Sequence, residues 1–181
     1  MPLIRNGQIV EDTFTTIADD APLPMNGTTV SLSRFKEERE ALLAHYSTLG
    51  VQLKSSESPE SLGDDVHRLA LVVLEFPAFR DGRPFSWSRM LRTRMRYSGE
   101  IRATGHFLYD QLAFLVRVGV NAFDLPESFS IHQFNRALNE ISRVYQPSVD
   151  ERIIISGLRH METRWESGNG CRSEQAARFS A

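Results

Sequence analysis

Six arginines and no lysine stand in the twenty-one residues from Phe76 to Arg96, FPAFRDGRPFSWSRMLRTRMR. A guanidinium is a planar fork that donates two parallel hydrogen bonds, which suits a carboxylate, phosphate, sulfite or sulfate. Asp81-Gly82-Arg83 sets a carboxylate beside such a fork, in a pair that also reads as a plain turn, with Asp accepting backbone N–H groups and Gly supplying positive φ. Arg89, Arg92 and Arg96 recur at i, i+3 and i+7, one above another on a helix. With no acid between them they repel by a few tenths of a kcal/mol per pair, so the stripe suits an acidic partner surface as well as solvent. Arg102 and Asp110 fall where neighbouring loops would converge. Asp81, Arg83, Arg102 and Asp110 are therefore the candidate contacts for a small oxyanion, and Arg89, Arg92 and Arg96 those for a partner. The competing reading pairs Arg83 and Arg102 with Asp81, Glu100 or Asp110 as structural ion pairs. The chain has 19 Arg and only two Lys, Lys36 and Lys54, a bias that a GC-rich genome also produces.

Much chemistry is missing from the sequence. Cys171 is the single cysteine, which excludes an intramolecular disulfide, a four-cysteine zinc site and a cysteine-held iron–sulfur cluster within one chain. His45, His67, His106, His132 and His160 show no H-E-x-x-H spacing, so no metal site is expected. There is no G-x-G-x-x-G dinucleotide turn, no phosphate-binding loop and no G-x-S-x-G elbow. Cofactor and catalytic residues stay unassigned, and Phe76, Phe79, Phe85 and Trp87 read as core rather than as a flavin or heme wall. A net charge of −2 argues against general nucleic-acid binding. No apolar run reaches the 18 or so residues that span a bilayer, and the first residues lack the apolar core of a secretory signal. The expectation is a cytoplasmic protein without membrane contact; its oligomeric state is not specified.

The elements that must position these residues alternate. A length of 181 residues suits one domain. We read a lead-in segment over 1–27, an α/β domain over 28–165 and a mobile polar tail over 166–181. Asn6-Gly7 between apolar pairs signals a short hairpin, and DDAPLPMNG a linker. Strands are predicted at 28–32, 51–53, 69–76, 100–104 and 121–125. Helices are predicted at 33–50, 86–97, 106–119 and 130–145, with Ser86 and Ser130 as N-caps and Gly50 and Gly119 as stops. The apolar stripe of the last runs through Ile131, Phe134, Leu138, Ile141 and Tyr145. Residues 58–68 suggest a helical turn, and 151–165 suit either a strand or a helix. Strands spaced by helices predict parallel βα units, arranged as an open doubly wound sheet or an incomplete (β/α) barrel. Ligands in such sheets bind beyond the carboxyl ends of the strands. That rim would receive Glu75 and FPAFRDGRPFS from the third strand. The fourth would bring Thr104, Gly105 and His106, followed by Asp110-Gln111, and the fifth Asp124.

The order Phe76-Pro77-x-Phe79, Asp81-Gly82-Arg83, Ser86-x-x-Arg89, Arg92, Gly99-Glu100-x-Arg102-Ala103-x-Gly105, Asp110-Gln111, Arg117-x-Gly119 and Phe123 resembles bacterial domain-of-unknown-function family 934. The likeness is strongest over 69–125 and extends back to about residue 28. His106 stands where the family's turn is expected to carry an acid. The resemblance implies a setting: members are typically encoded beside the assimilatory sulfite reductase hemoprotein. It implies an accessory protein of sulfate and sulfite reduction, docking through the arginine face to that reductase or to its electron supply. Two alternatives stand beside it. One is a barrel-like enzyme acting on a small sulfur oxyanion or acidic metabolite; the other is a flavin-type electron-transfer module.

Overall fold

A computed structural model describes residues 3–22, 27–141, 143–150, 152 and 154–157. The expected tail, His160, Cys171 and most of 151–165 lie outside those residues. Eight strands form one sheet: β1 (Leu3–Arg5), β2 (Gln8–Val10), β3 (Thr15–Thr16), β4 (Thr28–Ser31), β5 (Leu49–Leu53), β6 (Leu71–Phe76), β7 (Glu100–Gly105) and β8 (Ala122–Asp124). Their spatial order is β2-β1-β8-β7-β6-β5-β4-β3. Strands β3 to β8 run parallel in chain order, while the β1–β2 hairpin lies antiparallel along β8. A doubly wound sheet reverses its strand order at a switch point. This one never does, so the incomplete barrel is the form adopted.

Chain length alone forces the curl. Strands β2 and β3 lie at opposite edges, and in a flat sheet seven interstrand spacings of about 4.8 Å would hold them roughly 34 Å apart. Only residues 11–14 connect them, which fully extended span about 17 Å. The edges must therefore approach each other, with residues 11–14 as a strap between them. The lead-in segment thus supplies three strands to the sheet and the strap that draws its edges together.

Side-chain parity divides the sheet into two faces. Val30, Val51, Val72, Leu74, Phe76, Ile101, Ala103 and Phe123 pack with Phe35, Leu42, Leu91, Leu112, Leu115 and Phe134 of the helices in one apolar core. The intervening residues point into the curl: Gln52 on β5, Leu71, Val73 and Glu75 on β6, Glu100, Arg102 and Thr104 on β7, Ala122 and Asp124 on β8. This inner face carries Glu100 and Arg102 toward the amino ends and Glu75, Thr104 and Asp124 toward the carboxyl ends.

The helices depart from expectation in five places. The segment 33–50 splits into α1 (Leu32–Glu37) and α2 (Arg39–His45) at Glu38, whose φ is −106°. Gly50 does not stop a helix; it lies in β5, where a Cβ would meet Thr29 Oγ1 at 2.8 Å and Leu71 at 3.2 Å. The helix α3 (Arg83–Thr93) starts three residues before Ser86, because Pro84 suits a first helical turn, and Gly82 takes the N-cap place. Residues 106–108 are not helical: a 3₁₀ turn over Tyr109–Gln111 leads into α4 (Leu112–Arg117). Ser130 does cap α5 (Ile131–Asn139), in a box with Gln133. Ile141 and Tyr145 lie beyond that helix, 42% and 80% exposed, and do not extend its stripe.

Candidate functional site

The inner face is built in two tiers. In the lower tier Arg102, only 8% exposed, donates through Nε and Nη2 to Glu100 Oε1 at 3.0 and 2.8 Å, and through Nη1 to Asp12 of the strap at 2.8 Å. Glu100 also takes Arg5 at 3.3 Å, and Phe14 lies under the Arg102 guanidinium at 5.7 Å. Every arm of this fork is engaged within the chain. Arg102 therefore locks the strap into the curl, and does not meet Asp81, Arg83 and Asp110 on a common rim.

The other arginines part company as well. Arg83 closes its fork on Asp81, with Nε at 2.9 Å and Nη2 at 2.6 Å, and Nη2 also reaches Ser55 Oγ at 3.1 Å. Hydrogen bonds from Arg83 and Ser55 hold the Asp81 carboxyl well below the usual carboxylate range. Arg92 turns inward, donating to the carbonyls of Gly119, Tyr97 and Gly99 at 3.0, 2.7 and 2.8 Å. Burial lowers its pKa. Arg96 lies past the end of α3 with φ +53°, so the three-arginine helical stripe does not form. Arg89 and Arg96 are exposed and have no carboxylate partner among the described residues. Asp110 is exposed in the 3₁₀ turn, beside Gln111, whose amide donates to Phe79 O at 3.0 Å.

The upper tier lies at the carboxyl ends. Gln52 Nε2 donates to Glu75 at 3.2 Å, and Thr104 Oγ1 donates to Asp124 Oδ2 at 3.3 Å. Register sets Glu75 level with Thr104, and Asp124 follows Phe123, the partner of Ala103, so the backbones of the two acidic residues stand two strand spacings, about 10 Å, apart across β7. Both are half-buried, and among the described residues neither has a cationic partner. Beside them opens a cleft of about 430 Å³ lined by Pro77, Phe79, His106, Leu108, Asp124 and Pro126, with their neighbours. Its walls are mainly apolar, and Phe79 and Leu108 stand 45% and 46% exposed. Arg80 stacks over the Phe79 ring at 5.4 Å.

The sequence places Glu75, Thr104, His106 and Asp124 on this rim, while its arginine content draws the expected site to Arg83 and Arg102. The usable signal was parity. In LVVLEF and NAFDL one acid closes an otherwise apolar strand, on the face opposite the residues that meet the helices. Gln52, Leu108 and Pro126 carried no comparable signal.

Among the described residues no group of three or more His, Cys, Asp or Glu is placed to hold a metal ion, and no helix is long and apolar enough to cross a membrane. A family described as bacterial protein of unknown function, DUF934, matches residues 50–155. No curated protein and no solved structure matches the chain.

Proposed function

Since this chain belongs to the bacterial family DUF934, we propose that it is an accessory protein of assimilatory sulfate and sulfite reduction, the setting that kinship implies, and that it works by binding a small molecule in the cleft at the carboxyl ends of β6, β7 and β8. The observation that carries this reading is the cleft itself. Its volume of about 430 Å³ suits a small organic ligand, and it lies where βα loops converge. The oxyanion version finds less support, because Arg83 and Arg102 already hold carboxylates. A deletion strain tests the proposal. Growth should slow with sulfate as sole sulfur source and stay normal on cysteine. The wild-type gene should restore it, and a Leu108→Asp variant, which charges the cleft wall, should not. Equal growth on both sources would remove the sulfur setting; full rescue by the variant would remove the cleft.

A second reading keeps a docking role for the arginines that remain free. Arg89 and Arg96 expose guanidiniums with no carboxylate partner among the described residues, a surface suited to an acidic patch on the sulfite reductase hemoprotein. Native mass spectrometry with that hemoprotein should show a complex at low salt that fades with screening and with Arg89→Glu/Arg96→Glu. Failure to form any complex at low salt ends this reading.

A further inference from the structure

The cleft's walls and charges say which ligands it can hold. Pro77, Phe79, Leu108 and Pro126 offer an apolar slot, and the charged group on its lining at the strand ends is the Asp124 carboxylate. Asp124 accepts one long hydrogen bond, 3.3 Å from Thr104, on one of its two oxygens. Glu75 adds a second negative charge on the same row, bonded among the described residues only to the uncharged Gln52 amide. Of the guanidiniums nearby, Arg83 is held by Asp81 and Arg102 by Glu100 and Asp12, while Arg80 stacks on the Phe79 ring at 5.4 Å and is not itself on the cleft lining. His106 also lines the cleft. A half-buried carboxylate with spare acceptor capacity and, among the described residues, no counter-ion favours a donor that carries positive charge.

From this we infer that the cleft takes an amphipathic amine, with an aromatic or branched aliphatic body between Phe79, Leu108 and Pro126 and an ammonium on Asp124. The inference rests on the cleft reading above and reverses the sign of ligand first expected from the arginine content. Carboxylates and sulfur oxyanions would face Asp124 and Glu75 with like charge, and among the described residues no guanidinium stands on the cleft lining to offset it. The apolar body is what separates this ligand from a simple hydrated cation, to which Pro77, Phe79, Leu108 and Pro126 offer no polar side chain.

Three isosteric probes decide it: 2-phenylethylamine, 2-phenylethanol and phenylacetate, titrated at pH 8 into the isotope-labelled full chain and followed by amide shifts. The amine should move Gly105–Leu108 and Asp124–Leu125, and should bind roughly tenfold or more tightly than either analogue, as a charge-assisted hydrogen bond requires. Asp124→Asn should bring amine and alcohol to within about threefold of each other while remote amides keep their positions. If the alcohol or the acid binds as well as the amine at the cleft, the ligand class is wrong and the cleft survives. If no probe moves the cleft residues, the cleft reading falls and the inference with it. An amine preference that persists in Asp124→Asn would also overturn the assignment. The probe series runs on the wild-type chain, so a variant that fails to fold leaves the result decisive.

Discussion

Arg89 and Arg92 stand one helical turn apart and do opposite things with the same group. Arg92 spends its fork on three backbone carbonyls that close the turns at residues 97–99 and 119, whereas Arg89 faces solvent. Truncating Arg92 to Ala leaves those acceptors without their donor, a loss of about 3 kcal/mol, while Arg89→Ala should stay within about 0.5 kcal/mol. Urea midpoints of the two variants measure the contrast directly. Tyr97 beneath Arg92 adds a pH signature. Its ring is 3% exposed, its hydroxyl lies 3.3 Å from Leu69 O and Glu100 O, and burial raises its pKa well above the usual phenol value. Raised in the folded state, it contributes stability that is whole below about pH 10 and is lost as pH climbs from there toward the folded value. Alkaline unfolding should therefore steepen above about pH 10 in the wild type, and Tyr97→Phe should flatten that limb.

At the scale of elements, the site depends on how β6 and β7 end together. Gly105 has φ +94°, and a Cβ there would press into the Phe76 carbonyl, the acceptor of the His106 N–H at 2.8 Å. That close approach brings the loops after β6 and β7 together as two walls of the cleft. Gly105→Ala should cost about 1–3 kcal/mol through the positive φ and more through the clash. It should also widen the cleft, read as shifted amides at residues 78–79 and 106–108 with little change in α1 or α2. Unchanged shifts at both loops would mean that the walls are held by something other than this junction.

For the whole molecule the controlling feature is the strap. Residues 11–14 link the two outermost strands and pass under Arg102, so the curl is held by covalent length and by an ion-pair clamp together. Asp12→Ala removes one arm of that clamp, and because Asp12 is 40% exposed the cost is only about 1 kcal/mol. The effect should be local: faster hydrogen exchange at Thr15 and Ile17, whose N–H groups bond to Gly27 O and Thr29 O, with β6 and β7 unaffected. Uniform acceleration across the sheet would mean that the clamp supports global stability.

Local pattern was enough to determine the hairpin at Asn6-Gly7, the five parallel strands, the Ser130 cap and the Gly119 stop, because each depends on residues close in the chain. Only the tertiary structure decided the barrel over the doubly wound sheet, since strand order is a relation between distant segments. It also decided which arginines are free. A guanidinium at the end of a long side chain reaches partners that spacing does not reveal, as Arg102 reaches Asp12 across ninety residues of sequence. Helical periodicity placed Arg92 and Arg96 on one face, but three buried carbonyls drew the first inward, and the end of α3 at Thr93 carried the second off the helix. The charge a ligand meets depends on what remains unpaired after folding. At the inner rim that is, among the described residues, the carboxylates of Glu75 and Asp124, while the guanidiniums of Arg83 and Arg102 are already held.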